Sequence, residues 1–196
     1  MGFFSELFGK LFGKKSNTAT VSSKAITINI REDGLVINGK KLDVPTHIKA
    51  LSDIFGKPRK IPCKTSEEDR EVYAKLHPGE IVVQRVNYAW DELGLMCYTN
   101  NGSVVNCFGI EFNPPESYNS ASTPKKMFGG TVLIDGKPWF GVMMAGKDLE
   151  VFRKIILGNY SVIAEYTDFD QNDSTRDESS FTGIEIQLND GADLEL

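Results

Sequence analysis

From Ile26 the chain alternates strictly between apolar and polar positions. Ile26, Ile28 and Ile30 are interleaved with Thr27, Asn29 and Arg31, the period of a strand with one buried face. The pattern predicts a folded region beginning at Lys24. Asp33-Gly34 turns the chain into Leu35, Val36 and Ile37, and Asn38-Gly39 makes a second tight turn. The period then lengthens. Ile48, Leu51, Ile54 and Phe55 recur at helical spacing after Pro45 and Thr46, with Gly56 as a stop and Pro58 beyond it. Pro62 to Gly79 is charged and weakly patterned, which predicts a long loop or a short surface helix. Ile81 to Trp90 and Leu93 to Thr99 read as strands, and Asn100-Asn101-Gly102 turns into a further strand, Val104 to Phe112.

Asn113 to Lys126 breaks both periods with prolines and serines, after which the pattern restarts. Thr131 to Ile134 and Lys137 to Val142 are expected as strands around an Asp135-Gly136 turn. Leu149, Phe152, Ile155 and Ile156 predict a helix closed by Gly158. Tyr160 to Tyr166 and Phe181 to Leu188 are expected as strands, separated by a polar, acidic loop. Val36-Ile37-Asn38-Gly39-Lys40 is echoed by Leu133-Ile134-Asp135-Gly136-Lys137, and in each half the hairpin leads to a helix and further strands. The expectation is an α+β fold made as a tandem repeat of a strand-strand-helix-strand-strand unit, with mostly antiparallel sheets and the helices on one face. Shared turn chemistry without a repeat is the alternative. The boundaries are a first unit at 24–113, a linker at 114–127, a second unit at 128–188 and an acidic tail at 189–196.

Ahead of these lies an appendage, residues 1–23. Phe3, Phe4, Leu7, Phe8, Leu11 and Phe12 form one helical stripe, Lys10, Lys14 and Lys15 flank or follow it, and a Ser/Thr-rich stretch comes next. Such a stripe suits a membrane headgroup boundary, a groove on a partner, or the protein's own body. Lys14 and Lys15 follow the apolar residues while Glu6 and Lys10 interrupt them, unlike a cleavable signal, and Glu6 also breaks the myristoylation pattern.

Charge is unevenly placed within a net charge of -5 over 196 residues. Bases predominate up to Lys60. From Glu165 onward Asp168, Asp170, Asp173, Asp177, Glu178, Glu185, Asp190, Asp193 and Glu195 face Arg176 alone. An acidic end repels nucleic acid and attracts basic proteins, or simply keeps the chain in solution. Cys63, Cys97 and Cys107 are odd in number and lack metal-ligand spacing, so buried free thiols and a cytoplasmic home are expected, with contact at the inner membrane surface through residues 1–15 as an option.

Enzyme signatures are missing. The chain has no GxGxxG at a strand–helix junction, no P-loop, no GxSxG and no HExxH. His47 and His77 are its two histidines, and neither is near a cysteine in sequence. Asp168-Phe169-Asp170-Gln171-Asn172-Asp173 lacks the glycine and distal glutamate of a calcium loop. No catalytic residue, cofactor or metal is therefore assigned. Three surfaces are candidates for a protein partner: the N-terminal stripe; Tyr88, Trp90, Asp91 and Glu92; and the acidic loop bearing Asp168, Phe169, Asp170, Asp173 and Asp177. The competing reading of the second is a core tryptophan beside a solvated turn. Asp91-Glu92 is a poor catalytic pair, since adjacent strand residues point to opposite faces.

Asn38-Gly39-Lys40-Lys41-Leu42, Leu51 to Pro58, and Tyr88 to Phe112 with its Trp90-Asp91-Glu92-Leu93-Gly94-Leu95 core together resemble a bacterial family of unknown function. The likeness runs over residues 25–113. Such families often occur among immunity proteins of bacterial toxin systems. The resemblance thus implies a non-catalytic binder that covers the active site of a cognate toxin, without assigning a role to any residue. A membrane-surface adaptor and an enzyme whose site assembles only in the fold are the alternative functions.

Overall fold

A computed structural model describes residues 25–42, 46–62, 67–76, 78–79, 86–99, 102–112, 123–148, 152–166 and 180–188. The N-terminal stripe, the acidic loop around Asp168 to Asp177 and the tail from Asn189 lie outside these residues, as do most of the 114–127 linker, Cys63 and His77.

The small sheet begins with β1 (Thr27–Arg31), β2 (Gly34–Ile37) and β3 (Lys40–Lys41). It is completed by β8 (Thr131–Ile134) and β9 (Lys137–Pro138), in the order β3-β2-β1-β8-β9. Alternation decides its two faces. Ile28, Ile30, Leu35, Ile37, Val132 and Ile134 are buried, while Thr27 and Arg31 on the opposite face of β1 are exposed. The two echoed turns are real tight turns of the same kind. Asn38 and Gly39 have φ of 51° and 79°, and Asp135 and Gly136 have 48° and 75°. Positive φ at both central residues is the hairpin turn that matches the twist of the strands, and Asn, Asp and Gly tolerate it best. Strand β1 pairs with β8 in parallel, Ile28 opposite Val132, across more than a hundred residues of sequence.

The large sheet holds eight strands, β10-β11-β12-β13-β7-β6-β5-β4. One side is an antiparallel meander of β4 (Arg59–Pro62), β5 (Val86–Trp90), β6 (Leu95–Thr99) and β7 (Val105–Glu111). The other is a second meander of β10 (Lys147–Asp148), β11 (Phe152–Leu157), β12 (Tyr160–Tyr166) and β13 (Phe181–Leu188). They meet where β7 and β13 pair antiparallel, Ile110 opposite Ile184, so the sheet has the same sequence of connections read from either edge.

Three helices are described: α1 (Ile48–Phe55), α2 (Glu67–Leu76) and α3 (Trp139–Met144). A single core joins the two sheets with α1 and α3. It contains Leu51 and Phe55 of α1, Trp139 and Met143 of α3, and the inward residues Trp90, Leu95, Phe108, Ile110, Val162 and Ile184 of the large sheet. Rings from both sides meet in it, with Trp139 stacked on Phe112 at 4.9 Å and edge-on to Phe181 at 5.3 Å. Helix α2, whose Val72 and Leu76 are exposed, is a surface helix within the stretch expected to be a loop or short helix. The fold is thus a mixed, sheet-rich α+β arrangement.

Two expected elements are exchanged. Phe152, Ile155 and Ile156 belong to strand β11, which pairs with β12 along its whole length, rather than to a helix. The helix of this half is α3, which takes up Trp139 to Val142 of the expected Lys137–Val142 strand and runs on to Met144. Pro138 explains the change of direction. It has no N–H to extend a ladder, and its fixed φ (-52° here) suits the residue that opens a helix. Short apolar runs such as Trp139–Met144 fit either period, so contacts decide them. Arg153 on β11 then donates to the Met144 carbonyl at the end of α3, binding the two elements together. Strand β4 lies where the sequence predicts no element: Pro58 precedes it and Pro62 ends it, and it forms the edge of the sheet, where prolines are tolerated.

Candidate functional site

Within the segment singled out by sequence, Ala89 to Leu93 form one wall of an open groove of about 700 Å³, and Tyr88 lies outside its lining. The C-terminal end of α1 and the start of β4 form the other wall. Sequence placed this helix correctly: Leu51 and Phe55 are buried, and Gly56 ends it with φ 85°, its N–H donating to the Ser52 carbonyl at 2.9 Å.

The two aromatic residues are not surface anchors. Tyr88 and Trp90 lie on the inward face of β5 with only 7% and 4% of their surface exposed. The Tyr88 hydroxyl donates to the Gly102 carbonyl at 2.7 Å, and burial raises its pKa above the ordinary phenol value, with Cys97 adding to the shift. The Trp90 indole N–H donates to the Gly56 carbonyl at 2.8 Å, satisfying a helix-end acceptor. Phe55 packs edge-on against the Trp90 ring at 5.4 Å and lies parallel to Phe108 at 6.3 Å. An exposed aromatic patch at Tyr88 and Trp90 is therefore corrected to a core cluster, because β5 is an interior strand whose even-numbered residues all face the core.

What the segment does present is charge. After Trp90 the chain turns through Asp91–Gly94, and Gly94 takes φ 69°. Asp91 receives both ends of the Arg59 guanidinium, Nε at 2.8 Å and Nη2 at 2.7 Å. The Arg59 hydrogen bond holds the Asp91 carboxyl below its ordinary range, and in turn raises Arg59. Arg59 also reaches the Thr123 carbonyl, Lys126 donates its backbone N–H to the Asp91 carbonyl, and the Lys126 ammonium pairs with Glu92. The turn is thus sewn to β4 and to residues 123–126. Glu92 and Asp53 project from it and from α1 with more than half of each side chain exposed. Arg59 was invisible as a site residue in sequence; only strand pairing of β4 with β5 places it beside Asp91.

The candidate nucleophiles and bases are scattered. His47 stands exposed at the N-terminal end of α1, away from the groove. Cys97 and Cys107 are buried free thiols, and burial pushes the Cys97 thiol up to about 12, so it stays protonated at neutral pH. Among the described residues no group of His, Cys, Asp and Glu has the geometry to hold a metal ion, and no helix is long and apolar enough to cross a membrane.

The chain belongs to the family described as a domain of unknown function, DUF7738, whose model matches residues 27–148. The match includes the whole small sheet, the groove and the first meander, and stops before β11. No curated protein and no solved structure matches the chain.

Proposed function

We propose that this protein is a non-catalytic protein-binding module whose groove between the end of α1 and the Asp91–Gly94 turn receives a segment of its partner. The observation that carries this reading is the rigid frame around the groove. The Trp90–Gly56 hydrogen bond and the Arg59–Asp91 pair hold both walls in place, so little ordering remains to oppose association. The rim offers Asp53 and Glu92, each paired among the described residues with an exposed lysine, Lys49 and Lys126. Exposed pairs of this kind exchange readily. A basic loop is the segment that fits such a rim. The particular partner we propose is a cognate toxin whose active site is covered, as the resemblance to immunity-associated bacterial families implies.

The test is co-expression of the full chain with products encoded beside its gene, followed by kinetics of association. A bound product whose activity is suppressed, with Asp53→Lys plus Glu92→Lys weakening binding by at least about tenfold, is the expected result. Binding that is indifferent to both substitutions would move the interface elsewhere, and the acidic segment from Asp168 to Asp177 with Phe169 would be the next to change. Failure to bind any neighbouring product would remove the toxin reading.

The two halves are, in this proposal, tandem copies of a hairpin-helix-meander unit, with β1 and α2 as additions. Matching φ values at Asn38-Gly39 and Asp135-Gly136, and the two meanders meeting at β7 and β13, support this.

A further inference from the structure

On the outward face of the large sheet, opposite the core, strand register brings together acids that are far apart in sequence. Glu165 on β12 is level with Gly183 on β13, and Gly183 is level with Glu111 on β7. Adjacent strands lie about 4.8 Å apart, so the two glutamates flank a strand position with no side chain. The Glu111 carboxylate leans into that space: a Cβ built on Gly183 would lie 3.5 Å from its Oε2. Glu185 lies two residues further along β13 on the same face, one oxygen accepting from Gln187 at 3.0 Å. The charged and titratable groups that share this face are Lys154 of β11, Lys147 of β10 level with it, Cys107 of β7 and Tyr98 of β6, beside the apolar Phe152, Ile163 and Met96. Among the described residues none of the three carboxylates has a cationic partner, Lys154 included. All three glutamates are only partly accessible, in contrast to the exposed carboxylates of the groove rim.

We infer that the β7–β13 seam joining the two meanders is a pH-responsive junction, in which Glu111 and Glu165, set beside Glu185, hold the seam tightly when protonated and loosen it when ionised. Half-buried carboxylates without a counter-charge lose hydration on folding and repel one another across Gly183. Burial, with the charges of Glu165 and Glu185, pushes the Glu111 carboxyl from 4.5 up to about 7. Burial, then Glu185, raises Glu165 as well. The folded chain therefore binds more protons than the unfolded chain between about pH 4.5 and 7, so stability falls as pH rises through that window and levels off above it. Among the described residues the seam is the one strand pairing that joins the meanders within the large sheet, so its strength governs whether the halves stay joined there.

The experiment uses the full chain and two readouts. Carbon-detected NMR titration of the glutamate carboxyls should show Glu111 with a midpoint well above the ordinary value, and Glu185→Gln should move that midpoint down. Thermal unfolding should show the wild type losing several degrees between about pH 5 and pH 8. Glu111→Gln should keep about the same melting temperature at the lower pH and exceed the wild type at the higher. A Glu111 carboxyl that titrates at its ordinary value in the folded protein would overturn the inference even if the variants fail to fold. A Glu111→Gln melting profile parallel to the wild type across the range would overturn it as well.

Discussion

Trp90 donates its indole N–H to the carbonyl of Gly56, 34 residues earlier, and so ties the end of β5 to the end of α1. The bond gives a helix-end carbonyl a partner, and the Phe55 ring closes over the same indole. Removing the donor while keeping an aromatic ring isolates the bond. Trp90→Phe should destabilise the fold by about 1–2 kcal/mol in denaturant titration, because the Gly56 acceptor loses its partner. Trp90→Ala also opens a cavity and should cost about 3–5 kcal/mol. Near-neutral values for both would return Trp90 to the surface.

The Arg59–Asp91 pair predicts a specific acid limb. The folded Asp91 carboxyl lies below its ordinary value of 3.8, so its contribution is fully present above that value and is lost as pH falls through the folded pKa. Asp91→Asn should flatten this part of the stability profile and leave the neutral-to-basic part unchanged. Two hydrogen bonds from one guanidinium favour coupling at the upper end of that for accessible pairs, about 1 kcal/mol in a double-mutant cycle with Arg59→Ala. Additive single-mutant losses would mean that the pair is decorative.

Two glycines with similar φ should respond differently to alanine. Gly39 has φ 79° and open space around it, so Gly39→Ala should cost about 1 kcal/mol from backbone strain alone. Gly94 has φ 69°, and a Cβ there would overlap the backbone of Met127 and Phe128. Gly94→Ala should therefore cost at least about 2 kcal/mol more than Gly39→Ala in thermal or denaturant unfolding. Equal losses would show that the Phe128 segment yields easily.

Leu51→Ala should destabilise by about 2–5 kcal/mol, since Leu51 is fully buried in the stripe of α1. Phe152→Ala should cost less than about 2 kcal/mol, because strand β11 turns that ring to the partly accessible outward face. The ratio of the two losses checks the exchange of helix and strand in the second half. A loss at Phe152 matching that at Leu51 would favour the helix that periodicity predicted.

The groove was half legible in the sequence. The sequence marks the stretch around Trp90-Asp91-Glu92 and places the helix that faces it, with its glycine stop. It marks aromatics and acids together, and the structure divides them, with Tyr88 and Trp90 in the core and Glu92 exposed on the rim. Alternation along Val86–Trp90 says that Tyr88 and Trp90 share a face but not which face meets the core.

By itself the sequence determined whatever a few neighbouring residues decide. Asn38-Gly39 and Asp135-Gly136 make their turns because those residue types tolerate positive φ, and Ile48 to Gly56 makes a helix because its stripe and stop lie within one short window. Only the tertiary structure decided the pairing of β1 with β8, the seam of β7 with β13, the choice of helix at Trp139–Met144 over Phe152–Leu157, and the meeting of Glu111 with Glu165 across Gly183. The pairings depend on which strand edges the whole fold brings together, and the helix on the contacts that Trp139 and Met143 make in the core. That is a property of the whole chain, and no local window of residues encodes it.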